Sequence, residues 1–387
     1  MNLNSVRLRG ARVATGPETS ARMDLSIGDG RIRCDDSPCE QEVDVSGHLL
    51  LPGLINAHDH LELNLLPRLG TRFYLNAGEW AADVYRPNDS PLKEHCAIPK
   101  PVRLAWGAIK NLLSGVTTVA HHNPYDAATF DNGFPVRVVK RFGWAHSLEF
   151  SADLQYRFAQ TPEDAPFILH AAEGADPEAC SEICRLDALG LLSPRTVLVH
   201  ANAAGPLEYE LLRARRCSVV WCPSSNLATY GRTLTAETIR SGIPVVLGTD
   251  SAITAGVDLR DEIHVARDLC GLTRQEVYRM VTSRPAAILR LRDGEGSIRH
   301  GGVADLVAVK DRGQTPSDAI FDLHPEFVMV GGHMKLTAGR FHRKNSHSIA
   351  VEQHGCWTID ADIPSLSAAV VGAIGRDFHL AGKLVIA

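Results

Sequence analysis

Two patterns of apolar and polar residues share the chain. Near the start, VRLRGARVAT, MDLSIGDGRIR and QEVDVSGHLLL alternate apolar with polar positions, with Gly and Asp between them. A period of two broken by turn residues predicts short antiparallel strands. The same texture returns in GSIRHGGVADLVAVK and FVMVGGHMKLTAGRF. The two ends are therefore expected to build one small β-sandwich, with the middle of the chain inserted between them. In that middle the pattern changes to continuous apolar runs that close on polar residues: LLLPGLINAH, VTTVAHHN, AHSLEF, FILHAAE, TVLVHA, VVWCPSSN and PVVLGTD. Segments such as PVRLAWGAIKNLLSG and SEICRLDALGLL separate them and carry apolar residues at helical spacing. Strands apolar on both faces, alternating with helices, predict a covered parallel sheet. So many units in succession favour a closed (β/α)8 barrel over a doubly wound sheet, and no G-x-G-x-x-G follows the first strand. The expected class is α/β. Residues 1–52 and 296–387 (the latter with a C-terminal tail) form the small β domain, and residues 53–295 form the barrel.

Composition supplies exclusions. The 387 residues are 44% hydrophobic and 22% charged with a net charge of −5, which lacks the basic excess of a nucleic-acid-binding surface. No apolar run approaches the roughly 18 residues of a membrane span. The start, MNLNSVRLRGARVATG, has no apolar core of the kind a secretion signal needs. Nine cysteines without zinc-finger spacing read as reduced thiols, Cys180 and Cys184 on consecutive helical turns included. The expectation is a cytoplasmic protein whose partner is a small molecule, with no nucleic acid or membrane; a homodimer is compatible with this.

The candidate chemistry lies where the apolar runs end. His58, His60, His121, His122, His170, Glu173, His200 and Asp250 sit at or just past the C-terminal ends of predicted strands. In a β/α barrel those ends converge on the face that carries active sites. His95, His300, His324 and His347 instead fall among helices and loops. In His58-Asp59-His60 the outer two side chains share one side of a strand, so both imidazoles can face the barrel axis. With His170 and Asp250 they make three imidazoles and one carboxylate, a set suited to one divalent metal ion of borderline softness. Such a site could acidify a water to a pKa of roughly 7. Glu173 is placed to bond that water or a substrate atom, or else to sit as an acid at a helix start. A fifth protein ligand would crowd out the water, so His200 is better cast as a polarising group. Asp250 can lean on the metal with one oxygen and receive a proton on the other. His121 and His122 point to opposite sides of their strand, so one at most faces the axis; substrate contact competes there with packing. Asn226 could contact substrate or hold His200. Trp80, Tyr74 and Tyr125 fall in rim loops where they could line the pocket.

Taken in order, LPGLINAHDHLE, GVTTVAHHN, HAAEG, VLVHA, CPSSN, LGTDS and GSIRHGGVADLVAV resemble the amidohydrolase superfamily, in its chlorohydrolase, cytosine-deaminase and guanine-deaminase branch. The resemblance runs from about residue 40 to about residue 340. It implies a distorted TIM barrel with a small β-sandwich from both termini, and one metal ion, zinc or iron. It further implies that His58, His60, His170 and Asp250 are ligands, that Glu173 shuttles protons and that His200 orients water or substrate. No lysine ends a fourth-strand candidate, so a carbamylated bridge between two metals is not expected. Too few residues separate AHSLEF, the third-strand candidate, from FILHAAE, the fifth, for a helix, a strand and another helix, so strand four and its helices should be shortened. The tail from about residue 345 departs from the family pattern and could add strands and a helix or form an interface.

The expected activity is hydrolysis of a C–N bond by a metal-activated water, foremost the deamination of an amino-substituted heterocycle or amidine-like carbon. Opening of a cyclic, imidazolone-like amide is the alternative, and a non-catalytic metal-binding member of the fold is a third reading. A nucleic-acid deaminase site is excluded because no C-x-x-C occurs.

Overall fold

In the computed structural model, which describes residues 5–33, 39–131, 133–341, 348–351 and 355–386, the apolar runs of the middle are parallel strands. They are β1 Leu54–Asp59, β2 Val116–His121, β3 Arg137–Val138, β4 Gly143–Trp144, β5 Phe167–Ala171, β6 Thr196–His200, β7 Ser218–Trp221 and β8 Val245–Leu247. Two sheets result, β1-β2-β3 and β4-β5-β6-β7-β8. Where β1 meets the end of β8, a parallel bridge joins Asp59 to Asp250, and the amides of Thr249 and Asp250 donate to the His58 carbonyl at 3.0 and 3.1 Å. The runs are apolar throughout because both faces of each strand are buried. Ile55, Ile168, Val197, Val199, Val220 and Val246 pack together on one side. Leu54, Phe167, Leu169, Leu198, Val219 and Leu247 pack on the other, with Ile109, Ile183, Leu212 and Ile263 of the covering helices.

The barrel is shortened one unit earlier than expected: AHSLEF, the candidate third strand, continues the fourth strand, and the third is Arg137–Val138, which the apolar runs did not reveal because it is only two residues long. Only residues 139–142 separate β3 from β4, and between β4 and β5 lies the single helix Leu154–Gln160. The chain from 137 to 146 acts as one split strand. Its first half pairs with β2; its second half pairs with β5, where Ala145 N donates to Ile168 O (3.1 Å) and His170 N to His146 O (2.9 Å). The run AHSLEF is thus extended only at its start, and Phe150 N folds back onto Ser147 Oγ at 3.2 Å.

Among the described residues the termini form a twelve-stranded sheet. Ser5–Ala14, Ser20–Gly28 and His48–Pro52 join Leu306–Lys310, Phe327–Val330 and His333–Thr337. Its alternation is functional: Leu50, Leu306, Ala308, Phe327 and Met329 enter a separate core with Val6, Leu8 and Leu25. The intervening Leu49, Leu51, Val307, Val309, Val328 and Val330 pack into the cluster shared with the barrel helices. The tail adds strands Ser348–Val351, Gly355–Ile359, His379–Leu380 and Lys383–Ile386, and a helix, Ile363–Ile374; His347 lies outside the described residues. Among the described residues no helix is long and apolar enough to cross a membrane.

Candidate metal centre

A bulge lets β1 deliver two imidazoles. Asn56 pairs with Val119 and Asp59 with His121, so β1 holds one residue more than β2 there, which reverses the alternation after Ala57. His58 Nε2 lies 3.3 Å from His170 Nε2, and Asp250 Oδ1 lies 3.7 Å from the Nε2 atoms of both His58 and His60. The ligand atoms of the three histidines fall within 4.8 Å of one another, and no other such cluster of three occurs among the described residues. Gly248 makes room for them: a Cβ there would stand 2.8 Å from the His58 Cβ.

The protonation pattern suits a cation. His170 Nδ1 donates to the His146 carbonyl at 2.9 Å, which turns the Nε2 lone pair toward His58. Burial lowers the His58 pKa to about 4 and that of His170 well below its ordinary value, so both imidazoles stay neutral. Burial alone would raise Asp250, yet His58 at 3.7 Å and the proximity of His60 and His200 hold its carboxyl far below the usual range. Asp250 Oδ2 accepts from Ser225 Oγ at 2.6 Å and Thr254 Oγ at 2.8 Å, leaving Oδ1 on the histidine side. Neutral nitrogens that face each other beside a free carboxylate oxygen are a donor set that fits one divalent ion.

His200 reaches the cluster by backbone strain. Val197 and Val199 face the inner packing, so continued alternation would turn His200 away. Its φ of 74° lies in the left-handed region and brings the ring 5.3 Å from His170, nearly parallel to it. Ala172, Ala201 and Asp250 share that region with φ of 49°, 52° and 55°, each at a cost of order 1–3 kcal/mol. His200 Nδ1 donates to Asn226 Oδ1 at 2.7 Å, and its Nε2 is 3.5 Å from Glu173 Oε1. Tyr230 Oη donates to the same glutamate oxygen at 2.7 Å. The next helix starts only at Pro177, so Glu173 is not a helix-start acid.

The remaining candidates separate. His122 faces inward, its ring 4.2 Å from His170, with Nε2 bonded to the Ala145 carbonyl at 3.1 Å. His121 faces outward, onto Phe130 at 5.7 Å and Glu62 at 3.7 Å. Asn226 holds His200, as one of its two readings required. Trp80 packs between the Leu66–Ile253 and Tyr74–Tyr230 clusters, and Tyr74 is buried with its hydroxyl on Asp83 at 2.7 Å. Tyr125 does not join the cluster: its hydroxyl is held by Asp131 and its ring by Phe130 and Lys140, and it lines a separate cavity of about 660 Å3 with Arg137 and Lys335. Sequence reasoning missed Ser225, Thr254, Tyr230 and His146. Ser225 and Thr254 stand beside Asn226 and one helical turn after Asp250, which is a signal in retrospect. His146 lies 4.8 Å from His170, and burial lowers its pKa to about 4.

The family model described as the amidohydrolase family matches residues 145–335. The chain is 25% identical over 363 residues to a 5-methylthioadenosine/S-adenosylhomocysteine deaminase of Pyrococcus furiosus, covering 76% of this chain and 83% of that one. It is 26% identical over 367 residues to a 5'-deoxyadenosine deaminase of Methanothrix thermoacetophila, covering 79% and 85%. Among solved structures, a zinc-bound adenosine deaminase of Xanthomonas campestris matches with a TM-score of 0.69 at 20% identity, over 96% of this chain and 98% of that one. Atrazine chlorohydrolase of Arthrobacter aurescens in complex with zinc matches with a TM-score of 0.72 at 18% identity, over 95% and 100%. At such identities the structural matches speak for the fold.

Proposed function

Because the chain belongs to the amidohydrolase superfamily, we propose that it is a metal-dependent aminohydrolase that deaminates an amino-substituted heterocycle. The observation that carries this reading is the meeting of His58, His60, His170 and Asp250 with Glu173 and His200 at one set of strand ends. A divalent ion held by the first four, zinc on our reading and iron otherwise, supplies Lewis acidity toward a water. Because Ser225 and Thr254 occupy Oδ2, Oδ1 of Asp250 is the oxygen that would both face the ion and take the water's proton, not the second oxygen as the spacing suggested. Glu173 carries a proton to the substrate's ring nitrogen; Tyr230 occupies its Oε1, which leaves Oε2 for that exchange. His200, oriented by Asn226, presents Nε2 to the oxygen that gains charge as the water adds to the carbon. The proton taken by Asp250 then leaves with the amine. Residues 1–52 and 296–387 frame this site as a small domain around the barrel of 53–295. We place the enzyme in the cytoplasm, where its thiols stay reduced, either alone or as a homodimer.

The test is a panel of 6-aminopurine nucleosides, aminopyrimidines, aminotriazines and cyclic amides given to the zinc-loaded protein, with ammonia and product mass both read. Ammonia with an oxo group in place of the amino group is the expected result. A ring-opened carboxylate without ammonia would move the protein to cyclic-amide hydrolysis, and a panel without turnover would remove the enzymatic reading.

A further inference from the structure

Asp59, between the two histidines of β1, points away from them and into an enclosed polar knot. Its Oδ2 is 2.8 Å from Lys110 Nζ and accepts from Asn111 Nδ2 (2.7 Å), Asn56 Nδ2 (3.2 Å) and Thr249 Oγ (3.2 Å). Its Oδ1 accepts from Asn64 Nδ2 at 2.8 Å. Lys110 Nζ also donates to Asn64 Oδ1 at 2.9 Å and Thr249 Oγ at 3.1 Å. Asp59 is 0% and Lys110 3% exposed. Helix Lys100–Leu113 brings Lys110 and Asn111 this close because Gly107 rests against the Leu61 backbone; a Cβ there would stand 2.1 Å from the Leu61 carbonyl oxygen. The outer side is closed by the tail: Ala381 N donates to the Asn64 carbonyl at 3.0 Å, and Trp357, Leu380 and Lys383 leave a cavity of only about 10 Å3 beside Lys110.

Stability does not account for this arrangement. A buried ion pair rarely outperforms an apolar pair of the same volume, because both charges lose their hydration. Its location suggests another purpose. The knot gathers β1 (Asn56, Asp59), the turn after it (Asn64), the helix (Lys110, Asn111) and the residue before Asp250 (Thr249). Asp59 is bridged to Asp250 through the backbone, and His60 N donates to Asp250 O at 3.4 Å. Fixing Asp59 therefore fixes the backbones of His58 and His60 relative to that of Asp250.

We propose that the buried Asp59–Lys110 pair is a positioning device that sets the spacing of the His58/His60 arm against Asp250 and so tunes metal affinity, an inference that rests on the metal-centre reading above. Neither side chain contacts His58, His60, His170 or Asp250; each bonds only within the knot. The partners beyond a metal's ligands commonly change its affinity ten- to a hundredfold, and that is the effect to be sought.

The experiment measures zinc affinity by competition with a chromophoric chelator, and the thermal midpoint of the metal-free protein, for the parent, Lys110→Met, the pair Asp59→Asn with Lys110→Met, and Thr249→Val. Lys110→Met should lower the midpoint by leaving a buried carboxylate unpaired. The double substitution should recover most of that midpoint while zinc binding stays roughly ten- to a hundredfold weaker. Thr249→Val strands no charge and should fold in any event; it should weaken zinc about tenfold. Zinc affinity equal to the parent's in the double variant, or in Thr249→Val should the double variant not fold, overturns the proposal. A parent that binds no zinc overturns the metal-centre reading instead, so the two failures are distinct.

Discussion

Asp250 offers the sharpest test of how the candidate centre is built, because both hydrogen bonds to its carboxylate fall on one oxygen. Ser225 and Thr254 donate to Oδ2, and Oδ1 alone faces His58 and His60. Removing a donor has two opposed effects. The carboxylate becomes more basic, which would tighten a bond to a cation, and it becomes free to rotate about its own axis, which would loosen one. A hydrogen bond to a buried charged group contributes about 1.5–3 kcal/mol. Since about 1.4 kcal/mol is a factor of ten, loss of orientation predicts zinc binding roughly ten- to a hundredfold weaker in Ser225→Ala. Adding Thr254→Val should cost less than a second full step, because the two donors share one oxygen. Chelator competition on the refolded or native protein reads the affinity, and circular dichroism confirms the fold. A folded double variant that holds zinc as tightly as the parent would show that basicity, not orientation, governs this ligand, and the argument from geometry would fail.

Other outcomes follow from the same contacts. Glu173→Gln keeps the hydrogen bond from Tyr230 but carries no exchangeable carboxyl proton, so zinc content should hold while turnover drops on the order of 100- to 10,000-fold; undiminished turnover removes Glu173 from the reaction. His170→Ala should reduce both zinc content, read by elemental analysis, and rate; full metal occupancy would take His170 out of the ligand set. Burial raises the Glu262 carboxyl to about 8 although Ser224 N and Oγ donate to it. Its folded pKa lies above the ordinary 4.5, so the folded state keeps a proton that the unfolded chain releases. Stability should therefore fall as pH rises from about 4.5 to about 8 and level off beyond. Glu262→Gln should flatten that decline in a thermal-midpoint series; a decline unchanged by the substitution would refute it.

The sequence was most readable where a single physical rule acted alone. Strand ends bearing His58, His170 and Asp250 were visible because burial on both faces writes continuous apolar runs, and the polar residues that end those runs stand out. Length alone showed that the barrel was short of an element near AHSLEF, but the two-residue strand Arg137–Val138 was too short to be seen, so the gap was assigned one unit too late. What the sequence hid depends on departures from regular geometry. His200 faces the cluster only through a left-handed φ, which alternation cannot foresee; His58 and His60 share one side as their spacing predicts, and the bulge decides that it is the inner one. Tyr125 was placed at the rim because it follows β2, yet the loop's own contacts with Asp131 and Lys140 draw it into another cavity. The supporting groups Ser225, Thr254, Tyr230 and Lys110 carry no periodic signature; each is defined by a partner far away in the chain.

The strand His48–Pro52 sends Leu50 into the core of the terminal sheet and Leu49 and Leu51 into the barrel's own packing, and Gly53 alone separates it from the strand of His58 and His60. Three consecutive leucines thus act as a rivet between two bodies. No hinge can open at that seam without pulling apolar surface out of both, so damage to the outer sheet should be felt at the histidines as lost rigidity, and a chain cut at residues 52 and 53 should yield two halves that cannot stand alone.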